Sequence, residues 1–207
     1  IYEKDLNLSI ALKLEKELQK YKNVEIIQTR REDISVELID RIRIAKDHKA
    51  DYLISLHNNA APKGDPKPNG CIVLVTGTHY QPKETRVPDI YESSSQLGLS
   101  IIEKLKKLGI SVPKNFGDPP GNGLYRRKYT PENGTNKTLF YPDGSICDYY
   151  FLVRNGVESG IPSIIIEHAF LSNENDYRSY LSTEEKLEKL AKADADGIAE
   201  ALSLTEK

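Results

Sequence analysis

The sequence predicts an α/β fold: a three-layer open sheet, mostly parallel, with helices on both faces and a long insertion before the last strand. Two observations carry that prediction. Segments with apolar residues at steps of three and four alternate along the chain with short β-branched runs, the pattern of crossover helices on a sheet. The length, 207 residues, suits one compact domain with one sizeable core.

The elements follow in order. Residues 3–21 place Leu6, Ile10, Leu14, Leu18 and Tyr21 on one stripe with Lys and Glu on the other faces, which predicts a half-buried helix. The run at 24–29 (VEIIQT) predicts a strand, and 35–49 returns to helical spacing through Val36, Leu38, Ile39, Ile42 and Ala45. Residues 51–56 (DYLISL) predict a second strand that stops at His57-Asn58-Asn59. The Pro- and Gly-rich stretch 61–70 predicts a loop, and 71–75 (CIVLV) a third strand. A helix is expected over 91–108, closed by Gly109. The run at 163–166 (SIII) is the most strand-like of all, and Ser182-Thr183-Glu184-Glu185 opens a last helix with a capping-box pattern. Between them, residues 112–150 hold five of the 11 Pro, five of the 13 Gly and five of the 12 Tyr, so a long loop is expected there. With Arg126, Arg127 and Lys128 among its tyrosines, that insertion is either a binding lip or a solvated excursion packed on its own rings.

Composition narrows the function. Lys plus Arg number 29 and Asp plus Glu 31, a formal charge of −2, so no cationic surplus exists to neutralise nucleic-acid phosphates. No apolar run approaches the length of a membrane span. Two Cys, Cys71 and Cys147, are too few for a disulfide scaffold and lack metal-ligand spacing. No Gly-rich phosphate loop follows any expected strand, which counts against a flavodoxin-like domain.

In open α/β sheets the functional crevice lies beyond the carboxyl ends of the strands. His57 directly follows one expected strand and Glu167 another, so an imidazole and a carboxylate emerge at one edge if those strands are parallel. A carboxylate at the mouth of a buried strand loses solvent, which raises its pKa toward the range of a general base. Glu3 starts the inward stripe of the first helix; it either complements the helix macrodipole or offers an oxygen ligand to a metal. Glu3, His57 and Glu167 together make two zinc ligands and a base, one ligand short of the usual catalytic three. His48, His79 and His168 fill that gap poorly and are expected to be surface or structural residues.

These residues and their surroundings resemble the zinc-dependent N-acetylmuramoyl-L-alanine amidases of the amidase type 3 family, bacterial enzymes that cut peptidoglycan. The resemblance rests on Glu3-Lys4-Asp5-Leu6-Asn7-Leu8, Thr29-Arg30, Arg41 with Ala45, Ala50-Asp51, the stretch from Ile54 through His57-Asn58-Asn59-Ala60, and Pro162 through Glu167 with Phe170-Leu171-Ser172-Asn173. It implies Glu3 and His57 as Zn²⁺ ligands, Glu167 as the catalytic carboxylate, peptidoglycan as the substrate, and an extracellular or cell-wall location. Members of the family begin with a strand ending in a His-Gly-Gly type motif that supplies the first zinc ligand. This chain starts after it, so residues 1–207 are expected to form a single catalytic domain lacking that strand. The alternative is a non-catalytic peptidoglycan-binding module of the same fold that uses the 112–150 insertion to hold polymer.

Overall fold

The apolar stripes find the partners that their periods require. In the computed structural model, which describes residues 2–62, 65, 67–114 and 117–207, helix α1 (Glu3–Leu18) buries Leu6, Ile10, Leu14 and Leu18. Then come α2 (Leu38–Asp47), β1 (Leu53–Asn59), β2 (Ile72–Leu74), α3 (Ile90–Lys107), β3 (Leu124–Tyr125), α4 (Phe151–Glu158), β4 (Ser163–Phe170), the single turn α5 (Glu174–Asp176) and α6 (Glu184–Ala201). The expected Gly109 closes α3, while the capping box expected at Ser182–Glu185 gives way to a single cap by Thr183, since Lys186 stands three residues on where the reciprocal Glu would be needed. Gly109 follows α3 at φ +90, a conformation open to Gly without strain, and the Thr183 side chain accepts from the Lys186 N–H at the start of α6.

Among the described residues, four strands run in the order β1-β4-β2-β3. β1 pairs parallel with β4 and β2 parallel with β3, while β2 and β4 are antiparallel. Strand alternation then divides β4 between two layers. Ile164 and Ile166 enter a core with α1, α3 and α6, whereas Ile165 joins Ile72, Leu74 and Val153 of α4 on the opposite face. The α4 layer sits close because Gly156 faces β4: a Cβ there would lie 1.8 Å from Ser163 Oγ.

Three expectations are corrected. Residues 24–29 form no strand; the segment is held by burial of Val24 and Ile26 against the core and by the Gln28 amide donating to the Ala11 carbonyl at 3.0 Å. A β-branched run becomes a strand only where a neighbouring backbone pairs with it, and no described residue does so here. The 112–150 insertion is not structureless: it supplies β3, the 3₁₀ turn Pro131–Asn133 and the bridges Lys128↔Asp148 and Phe140↔Ile146. Asp148 anchors it, accepting from Thr76 Oγ1 at 2.7 Å, Gly77 N–H at 2.7 Å and Tyr141 O–H at 2.9 Å. Positions 115 and 116 of the insertion, and 63, 64 and 66 of the loop at 61–70, lie outside the described residues. Finally, β1 and β4 run beyond 56 and 166, so His57 and Glu167 lie inside strands and not after them.

Candidate active site

β1 and β4 bring the first two candidates together, because His57 and Glu167 are register partners on adjacent parallel strands. Both therefore project to the same face, the one that Ile165 shares with α4 and Tyr150. Glu3 arrives from the first turn of α1. Arg30 fixes that turn by donating to the Lys4 carbonyl at 2.6 Å, and Arg41 in turn donates to Thr29 Oγ1 at 2.9 Å.

Glu3 Oε1 is the meeting point. It lies 2.9 Å from His57 Nδ1 and accepts from the Asn58 backbone N–H and the Asn7 side-chain amide, each at 3.1 Å. Asn58 Nδ2 also donates to Asn7 Oδ1 at 2.9 Å, closing a ring around the carboxylate. Burial alone would raise the pKa of Glu3; the hydrogen bonds from His57, Asn58 and Asn7 outweigh it and bring the pKa down to about 2. Glu3 is thus held as an anion.

Glu167 is tuned the other way. Burial pushes its pKa up to about 7; nearby His57 opposes the rise and the Glu3 charge adds to it. Its Oε2 is buried with no hydrogen-bond partner among the described residues. Two carboxylates whose surroundings drive their pKa values apart can divide the work, one staying ionised and one trading protons near neutrality.

The other histidines stand apart. His48 and His79 are exposed, His79 lying against the Tyr91 ring with centroids 4.0 Å apart. His168 is wholly buried on the side of the sheet opposite Glu167, bonded to Asp194 of α6. Among the described residues no three His, Cys, Asp or Glu side chains group as a complete metal site. Cys71 and Cys147 are buried free thiols, and burial pushes Cys71 up to about 12.

Several neighbours were not singled out by sequence reasoning. Asn7 and Asn58 orient Glu3; only the position of Asn58 directly after His57 hinted at it. From the insertion, Tyr150 lies close enough to Glu167 to feel its charge; burial raises the Tyr150 pKa, opposed by its hydrogen bond with Arg127. Arg127 lies 3.8 Å over the Tyr149 ring, and the Tyr125 and Tyr150 rings meet edge-on at 6.5 Å. Arg126, which looked equally available, is committed to the Thr76 and Asp118 carbonyls and Ser95 Oγ.

An imidazole and two oppositely tuned carboxylates gathered on one face of an open α/β sheet define a domain equipped for proton transfer. A family model described as N-acetylmuramoyl-L-alanine amidase matches residues 1–200, and the chain belongs to that family. It is 27% identical over its whole length to the endolysin of Bacillus phage SPP1, covering 60% of that protein. Over 191 residues it is 26% identical to the N-acetylmuramoyl-L-alanine amidase AmiC of Escherichia coli O6:H1, a match covering 85% of this chain and 42% of that one. It therefore spans less than two thirds of either relative. The solved catalytic domain of CwlV, an N-acetylmuramoyl-L-alanine amidase from Bacillus (Paenibacillus) polymyxa var. colistinus, aligns with a TM-score of 0.66 at 23% identity, covering 99% of this chain and 87% of that one. Ami1 from Mycobacterium smegmatis aligns with a TM-score of 0.69 at 18% identity, covering 97% and 77%. These structures share the α/β fold. No helix among the described residues is long and apolar enough to cross a membrane.

Proposed function

We propose that this domain hydrolyses the amide bond between N-acetylmuramic acid and L-alanine in bacterial peptidoglycan, with Zn²⁺ held in part by Glu3 and His57 and with Glu167 as the catalytic carboxylate. The observation that carries this reading is the unpartnered Oε2 of Glu167, on a carboxyl with a pKa near 7, in register with an imidazole that a second, firmly ionised carboxylate touches.

The donor pair fits zinc. Glu3 Oε1 and His57 Nδ1, 2.9 Å apart, are a carboxylate oxygen and an imidazole nitrogen, the donor types that zinc takes, and they would hold the ion together once the proton between them is given up. Both side chains are partly exposed, at 39% and 41%, so an ion has a path to them. A catalytic zinc normally has three protein ligands, and Zn²⁺ here requires a third donor besides this pair.

Bound zinc would supply Lewis acidity, acidifying water and polarising the lactyl carbonyl. The chain's own groups handle the protons. Ionised Glu167 takes a proton on its carboxylate from the attacking water as the new C–O bond forms. Now neutral, it delivers that proton to the L-alanine nitrogen as the C–N bond breaks, leaving a carboxylic acid on the lactyl group and a free amine on the peptide, and the acid's proton then passes to the amine to give carboxylate and ammonium. Asn7 and Asn58 hold Glu3 in place throughout. Arg127 and the tyrosines around it form the adjoining wall on which substrate would rest. A peptidoglycan substrate places the domain outside the cell membrane, at the wall.

One observation favours the second reading, a wall-binding module without catalysis: the described residues hold no complete three-donor site. Purified peptidoglycan separates the two. Appearance of new L-alanine amino termini that stops on chelation and returns with zinc supports hydrolysis; sedimentation with the polymer, without new amino termini and indifferent to chelator, supports the module.

A further inference from the structure

Behind the sheet, on the face turned away from Glu167, lies a polar pair that the proposed chemistry does not use. His168 and Asp194 are both wholly buried, with 0% exposure, inside a core otherwise built from Ile164, Ile166, Leu190, Ile198 and their neighbours. His168 Nε2 lies 2.8 Å from Asp194 Oδ2, and His168 Nδ1 lies 2.9 Å from the backbone oxygen of His57. A carbonyl oxygen can only accept, so Nδ1 carries the proton and donates it to His57. Asp194, on the far side of the ring, fixes the plane and direction of that donation.

Two features argue against a packing role alone. The pairing of β1 with β4 shifts register between His57 and Asn59, so the carbonyl taken up by the imidazole sits where the regular ladder breaks. Asp194 Oδ1 has no hydrogen-bond partner among the described residues. A buried polar pair with an orphaned oxygen is a poor way to fill an apolar core, where two hydrocarbon side chains of similar volume serve as well or better. What the pair does supply is a fixed point for the His57 backbone, and the next N–H along, that of Asn58, is one of the three contacts on Glu3 Oε1.

We propose that His168 and Asp194 are positioning residues: anchored on α6, they hold the His57–Asn58 backbone at the register break so that the His57 ring and the Asn58 N–H both converge on Glu3. The inference rests on the reading of Glu3 and His57 as zinc donors for its consequence, but the geometry it asserts exists without metal.

Two substitutions separate the two bonds. His168→Asn puts an amide N–H near the place of Nδ1 and keeps the bond to the His57 carbonyl while releasing Asp194; His168→Gln puts its amide near Nε2 and keeps Asp194 while releasing His57. The double substitution His168→Leu with Asp194→Leu removes both bonds and leaves an apolar core. Each protein is compared in three ways: melting temperature, the Asn58 amide and His57 ring resonances by NMR in chelator, and zinc affinity by competition with a chromogenic chelator. The Asn variant, which keeps the bond to the His57 carbonyl but loses the Asp194 anchor, should shift the two resonances less than the Gln variant and lose less zinc affinity. The Gln and double-Leu variants should shift both resonances and lose about 10- to 100-fold in affinity, whatever their melting temperatures. Resonances unmoved in the Gln and double-Leu proteins, or effects that follow melting temperature in all three, overturn the proposal. If the double-Leu protein does not fold, the Asn and Gln pair decides alone. Should the parent not hold zinc for want of the third donor, the metal-free resonances of the three variants decide the positioning alone.

Discussion

His57 and Glu167 face each other in register across β1 and β4, yet the imidazole nitrogen Nδ1 is directed to Glu3 at 2.9 Å, and Glu167 Oε2 stays buried without a hydrogen-bond partner among the described residues. The division follows from reach. Glu3 comes in from the start of α1 and is ringed by Asn7 and Asn58, while Glu167 sits on an interior strand with the sheet and the α4 layer around it. Burial without bonds raises one carboxyl, and bonds despite burial lower the other.

Glu167 should make the metal-free fold pH-dependent. Its folded pKa of about 7 lies above the ordinary 4.5, so the fold prefers the neutral acid. The stability it contributes is fully present below pH 4.5 and is lost as pH rises through 7. Unfolding of the parent and of Glu167→Gln in chelator, compared at pH 4 and pH 8, should show the variant gaining on the parent at the higher pH by at most about 3 kcal/mol. Parallel pH profiles would show that Glu167 ionises freely in the fold.

Glu3 predicts the opposite slope. With a folded pKa of about 2 against the ordinary 4.5, its contribution is present above pH 4.5 and disappears as pH falls toward 2. The stability advantage of the parent over Glu3→Gln should therefore shrink across that acid window and be flat above it. The same variant should bind zinc at least about tenfold more weakly, since an amide oxygen is a poorer donor than a carboxylate to a hard or borderline cation.

Asp148 holds the insertion. Asp148→Ala leaves Thr76, Gly77 and Tyr141 donors unpaired in a buried place, at about 1–3 kcal/mol for each that water does not reach. Limited proteolysis should cut the variant within residues 128–148 faster than the parent. Cleavage at an unchanged rate would mean that the bridges Lys128↔Asp148 and Phe140↔Ile146 suffice without the carboxylate.

Gly156 sets the spacing of α4. A methyl group there collides with Ser163 Oγ and lies 3.0 Å from the Ile161 carbonyl, so Gly156→Ala should destabilise the fold by about 1–3 kcal/mol despite the better helix propensity of Ala. Thermal melting checks this, and a variant as stable as the parent would show that α4 can lift from β4.

Much of this arrangement was legible in the chain. The stripe of Leu6, Ile10, Leu14 and Leu18 gave α1 and put Glu3 at its head, and the two apolar runs before His57 and Glu167 brought both to one region of the sheet. Local pattern says nothing of pairing, however. The run at 24–29 has strand composition without a described strand beside it, and β3 is two residues of a Gly- and Pro-rich segment that become a strand only beside β2. Helix α4 was missed because FLVRNGVE mixes β-branched residues, Asn and Gly, and its burial against β4 outweighs that weak propensity. His168 and Asp194 lie 26 positions apart and meet only because α6 packs under β4.

The most direct test is Glu167→Gln on purified peptidoglycan. Zinc content, melting at neutral pH and release of L-alanine amino termini are measured side by side with the parent. The variant should fold, match the parent's zinc content and release amino termini about 10²- to 10⁴-fold more slowly, the usual worth of a general acid–base residue. Release at the parental rate from that protein would contradict the assignment of Glu167.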